Sequence, residues 1–169
     1  MAAAYEYRLI QVGVDFSPAS REALARAVHL ARQLDAELEI VHVVERLQAT
    51  LPFVRRSRLA VAELQRELIA EARERVQTLV PKRAGRKVRA RVLAGKPSEA
   101  LLSHAVKVGA DLLVLANLGH STVQEVFVGS TAEQCLRRAR IPVMLVPKSP
   151  PGARSRRRRR TRQPRAGKA

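Results

Sequence analysis

Short apolar runs alternate along this chain with longer stretches in which apolar residues recur every three or four positions. Leu9-Ile10-Gln11-Val12-Gly13-Val14 is the first short run and predicts a strand. Asp15 follows, and Ser17-Pro18 suits a helix start, because the hydroxyl can cap and proline is tolerated in the first turn. Leu24, Ala27, Val28, Ala31 and Leu34 then fall at helical spacing. Residues 38–44 predict a second strand, and residues 45–57 a loop containing Pro52. A longer helix is predicted from about Arg58 to Leu79, with Val61, Leu64, Leu68, Ala72, Val76 and Leu79 as its apolar stripe. On its wet side Glu71 and Arg75 are spaced to pair.

Residues 81–87 form a basic turn. Val88-Arg89-Ala90-Arg91-Val92-Leu93 alternates, which predicts a strand with one exposed face near a sheet edge. Gly95-Lys96-Pro97 opens a third helix, with Ala100, Leu101, Ala105 and Val108 inward. Residues 112–116 are the most apolar strand and are expected at the centre of the sheet. A loop bearing glycines at its two ends leads to a fourth helix over 130–138, where Ser130-Thr131-Ala132-Glu133 reads as a capping box. Residues 141–146 predict the last strand, and Pro142, lacking a ladder donor, favours a strand start or an edge.

Strict strand–helix alternation places the chain in the α/β class. It predicts a five-stranded, mostly parallel open sheet with right-handed crossovers and helices on both faces. Ligands of such sheets bind beyond the carboxyl ends of the strands, at the switch point. Asp15 and the 116–130 loop both follow strand ends, so the fold brings them to one rim. Gly119-His120-Ser121 and Gly129-Ser130-Thr131 flank that loop. Unpaired N–H groups and the helix dipole at the second site favour an anion, which points to a nucleotide.

The chain has 169 residues, room for one ordinary domain over 1–147. Aromatics are few, so the core is built from Leu, Val, Ile and Ala. Of the net charge of +17, ten come from residues 148–169, which hold no acid. This Arg-rich stretch follows Pro150-Pro151-Gly152 and reads as a disordered tail able to meet RNA, DNA or another polyanion. No aromatics interleave with its arginines, which argues against base stacking.

The single cysteine, Cys135, excludes an intrachain disulfide and is expected to be buried and inert. The first residues lack a secretory pattern, and no run reaches the roughly 20 apolar residues of a membrane span, so a cytoplasmic protein is expected. Gly95-Lys96 is followed by Pro97, which fails the P-loop. Gly119-His120-Ser121-Thr122-Val123 fails the nucleophile elbow at its fifth residue. His29, His42 and His104 are too scattered for a metal site, and packing is their expected role.

The chain resembles the universal stress protein family. ATP-binding members carry Gly-x-x-Gly, nine residues, then Gly-Ser or Gly-Thr. Here nine residues separate Gly119 from Gly129, and Ser130 follows. Val14-Asp15, His42-Val43-Val44, Gly95-Lys96-Pro97 and Ile141-Pro142-Val143 are further family-like features. One departure is Ala116, which stands where the motif has its first glycine and is expected to weaken binding without abolishing it.

The resemblance implies a Rossmann-like fold and ATP, with magnesium or manganese as its usual companion. Gly119, His120, Ser121, Gly129, Ser130 and Thr131 would hold phosphates and ribose, with Asp15 and Val43 around the adenosine. It implies a homodimer through the last strand and a stress-response regulator that acts by occupancy rather than catalysis. The alternatives are a polyanion-binding protein that uses the tail without ATP, and a slow ATPase.

Overall fold

The computed structural model describes residues 6–47, 58–81, 88–117 and 129–147. The elements are β1 (Leu9–Val14), α1 (Pro18–Gln33), β2 (Glu37–Val44), α2 (Arg58–Thr78), β3 (Val88–Ala94), α3 (Pro97–Val108), β4 (Leu112–Asn117), α4 (Ser130–Arg138) and β5 (Val143–Pro147). The five strands form one parallel sheet in the order β3-β2-β1-β4-β5.

The chain steps from β1 outward to β2 and β3, then returns past β1 to β4 and β5. The central strand is therefore β1, every residue of which is buried, and not β4 as its apolar run suggested. Both strands have two covered faces, so hydrophobicity alone does not rank them. The alternating β3 is an edge strand, as expected. Its exposed arginines pair across to β2, Arg89 with Glu37 at 3.1 Å and Arg91 with Glu39 at 3.3 Å.

The two faces of the sheet have separate cores. Ile10, Val12 and Val14 meet Ala23, Ala27 and Ala31 of α1, and Val76 of α2 joins them. On the other face Val41, Leu113 and Leu115 meet Leu101 of α3 and Ala132 and Cys135 of α4. The alanines of α1 explain how that helix lies close over β1 and β4. Its start is as expected: Ser17 is the N-cap, its Oγ accepting from the Ser20 N–H at 3.1 Å.

The stripe of α2 is buried only in its second half. Ala72 and Val76 are covered, whereas Leu64 is 48% exposed. Helical period reports what a helix is able to bury, not whether a neighbour lies beneath every turn. None of the described helices is long and apolar enough to cross a membrane.

Close approach at Gly13 sets the α3 side. A Cβ built there would lie 2.6 Å from Leu115 Cδ2 and 3.2 Å from Leu101 Cδ1. Two polar contacts lie on the same face. Gln11 Nε2 donates to the Leu101 carbonyl at 3.0 Å, and His104 Nε2 lies 2.8 Å from Glu39 Oε2. Glu39 and His104 are both buried beneath α3. His104 thus has a packing role, as expected, through a carboxylate that the apolar pattern of β2 hid.

Substituting Gly13→Val is expected to destabilise the fold by about 1–3 kcal/mol, the usual cost of overpacking a filled site. Urea unfolding should show a lower midpoint with an unchanged slope.

Candidate functional site

From the carboxyl ends of β1 and β4 the chain leaves toward opposite faces of the sheet, by α1 on one side and α4 on the other. That reversal opens a crevice at the rim. A cavity of about 310 Å³ occupies it. Asp15, Val43, Ala116, Gly129, Ser130 and Thr131, all nominated from the sequence, line its wall. The other three nominated residues, Gly119, His120 and Ser121, lie outside the described residues, as does the tail. Gly13, Val41, Leu101 and Leu115 form the apolar floor.

The β1–α1 turn is held by contacts that the sequence did not reveal. Phe16 has a φ of 63°, a left-handed conformation that costs a bulky residue about 1–3 kcal/mol. Its ring lies against His42, with centroids 4.4 Å apart, and the Arg75 guanidinium sits 4.2 Å from the ring centroid. His42 Nδ1 is 2.8 Å from the Val14 carbonyl oxygen. These contacts offset the strain and fix the direction in which Asp15 and Ser17 face. His42 therefore packs, as expected, and also lines the crevice.

Asp15 Oδ1 accepts from the Ser17 N–H at 2.9 Å. Partial burial opposes ionisation of this carboxyl, but hydrogen bonds from Ser17 and Ser20 outweigh it and hold the group below its ordinary range. Asp15 thus supports the helix start and presents a carboxylate to the cavity at the same time.

The opposite wall is the first turn of α4. Gly129 is the N-cap, with φ −52° and ψ 146°, and no side chain caps the helix. The expected capping box does not form. Ser130 is the first helical residue rather than the cap, which places Glu133 one position too far along. Glu133 instead pairs with Arg137 at 3.0 Å. Among the described residues no side chain accepts from the N–H groups of this turn, which border the crevice as donors suited to an anion.

Ala116 is a regular strand residue paired with Val146. It packs against the α1-side core and also lines the crevice. The donor set suits a phosphate, and the apolar floor suits a base, so the residues present fit a nucleotide. Among the described residues no group of three metal-ligating side chains comes together.

Ser20 and Glu45, which the sequence did not single out, also line the cavity, as does Pro97 of the Gly95-Lys96-Pro97 turn. The only signal of Ser20 and Glu45 was position, in the first turn of a helix and next to a strand end. Cys135 is buried, as expected, and burial pushes its thiol up to about 11, which leaves no thiolate at neutral pH.

The lowered Asp15 carboxyl carries a pH signature. Its folded value lies below its unfolded value near 3.8, so its contribution to stability is present above that pH. The contribution is lost as pH falls through the folded value. Urea midpoints of the native chain and Asp15→Asn should therefore differ at pH 7 and converge as pH falls below 3.8. A constant difference across that range would count against this role.

Comparison with known proteins agrees with this architecture. The profile of the Universal stress protein family matches residues 6–147. Universal stress protein MJ0531 of Methanocaldococcus jannaschii is 32% identical over 145 residues, spanning 84% of this chain and 83% of that protein. The solved structure of universal stress protein UspA from Lactobacillus plantarum superimposes with a TM-score of 0.67 at 26% identity, over 84% of this chain and 99% of that one. A universal stress protein solved in complex with cAMP gives a TM-score of 0.55 at 28% identity, over 84% of this chain and 98% of that one. Sequence match and shared fold agree, and the chain belongs to the universal stress protein family.

Proposed function

We propose that this chain binds an adenine nucleotide, ATP in the first instance, in the rim crevice, and that occupancy is its signal in a stress response. The observation that carries this reading is the crevice itself: a carboxylate on one wall, the uncapped first turn of α4 on the other and an apolar floor between them. The relative crystallised with cAMP supports an adenine nucleotide as the ligand class. The base lies over Val41, Val43 and Leu101, and Asp15 accepts from a ribose hydroxyl or a polar base edge. Phosphate oxygens accept from the backbone N–H groups and hydroxyls of Ser130 and Thr131. When ATP is bound, magnesium or manganese is supplied with it.

The reading extends to a homodimer through β5. That strand is an edge of the sheet, and Val143, Met144 and Leu145 are only partly buried. Pairing two copies there would hide an apolar rim.

A second reading is favoured by charge. Residues 148–169 carry ten Lys or Arg and no acid, so this tail binds polyanions by counterion release. The two readings are compatible and separable.

Calorimetry with ATP, with and without magnesium, tests the first. Saturable binding of one nucleotide per subunit is expected. Gly129→Leu should weaken it by at least about a hundredfold, because a side chain there fills the approach to the α4 amides. The backbone angles at Gly129 are open to any L-residue, so this variant keeps its fold. Unchanged affinity in Gly129→Leu would remove the site. For the second reading, binding to a long polyanion should fall steeply with salt in the full chain, and removing residues 150–169 should abolish it while sparing ATP.

A further inference from the structure

The crevice does not end at the base-binding floor. A second cavity, of about 430 Å³, lies beside the first, and the two share Glu45, Pro97, Ser130 and Thr131 as a common wall. The first turn of α4 thus borders both cavities. The chambers differ in character. The first is floored by Val41, Leu101 and Leu115. The second is walled by Arg46 at the end of β2, by Lys96 and Ser98 at the start of α3, and by Gln134 of α4.

Its polar groups are organised. Ser98 is buried, and its hydroxyl donates to Gln134 Oε1 at 2.8 Å. Lys96 pairs with Glu99 at 3.0 Å, but both side chains are more than half exposed. Such a surface pair contributes little and yields readily to a stronger anion. Glu99 is also 3.5 Å from Arg138, so that carboxylate keeps a partner if Lys96 turns away. Glu45 lines both cavities, and its carboxylate disfavours a phosphate beside it. Anionic groups in the second chamber therefore lie beyond it, toward Arg46 and Lys96.

A mononucleotide accounts for the first chamber, whose volume is at the lower end of the roughly 300–1,000 Å³ of small-molecule sites. It leaves the second cavity, with Arg46 and Lys96 on its wall, without an occupant. We propose that the ligand is an adenine dinucleotide. One adenosine occupies the first chamber, the bridging phosphates cross the first turn of α4, and the second nucleoside with its phosphate lies in the second chamber against Arg46 and Lys96. This rests on the nucleotide reading above and deepens it. It makes Arg46 and Lys96 the residues that decide ligand size.

Calorimetry on the full chain tests this with AMP, ATP and diadenosine tetraphosphate as probes. Salt above about 0.15 M, where the Debye length is below about 8 Å, limits diffuse attraction to the tail. The dinucleotide is expected to bind at least about tenfold more tightly than ATP, the effect of one added charge-assisted hydrogen bond. Arg46→Ala and Lys96→Ala should each remove about tenfold from the dinucleotide while leaving AMP and ATP within about twofold. Equal affinity for ATP and the dinucleotide, or equal losses for all three probes in the variants, overturns the proposal while the nucleotide reading stands. Failure of all three probes to bind the native chain overturns both.

Discussion

The absence of a side chain at Gly13 is the constraint on which the rest of the molecule depends. Because nothing projects there, Leu115 of β4 and Leu101 of α3 close over the central strand. The same helix is tied down by the Gln11 bond to the Leu101 carbonyl and, one turn later, by His104 on buried Glu39. One steric and two polar contacts thus seat α3. The seated helix supplies the apolar floor of the crevice and brings Pro97 and Lys96 to the rim. Polar groups buried beneath a helix must be hydrogen-bonded once water is gone. Here Arg91 reaches Glu39 from the edge strand, so the carboxylate has two partners.

The two walls of the crevice are built on different principles. The β1–α1 wall is over-determined: a strained Phe16 is held by His42 and Arg75, and the Asp15 and Ser17 side chains occupy backbone donors. The α4 wall starts from a glycine cap, and among the described residues no side chain accepts from its first turn. A rigid wall facing one with spare donors selects ligand shape on one side and supplies binding energy on the other.

Much of this was legible in the sequence. Alternation of short apolar runs with helical periods gave five strands and four helices, and placing the loops at strand ends put Asp15 and the 129–131 segment on one rim. What was missed has physical reasons. Crossover direction leaves no trace in apolar pattern, so β4 was expected where β1 lies. The spacing of α2 marks an apolar stripe but not what covers it, and Leu64 is 48% exposed. A Ser-x-x-Glu spacing gives the partners of a capping box but not the first helical residue, and a shift of one position removed it. Glu39 sits among apolar neighbours and resembles a strand's outward residue until α3 is laid over it. Nothing in the identity of Phe16 signals a left-handed backbone.

The open start of α4 ties local order to occupancy. A helix of nine residues is short for independent stability, and this one begins without a side-chain cap. Its first turn is therefore among the parts of the fold least able to hold itself together. An anion seated on those amides would act as the missing cap. The free energy of binding and that of ordering the segment then become one quantity, shared between ligand and helix. The protein would register its ligand by how long the first turn of α4 remains wound, with no domain needing to move.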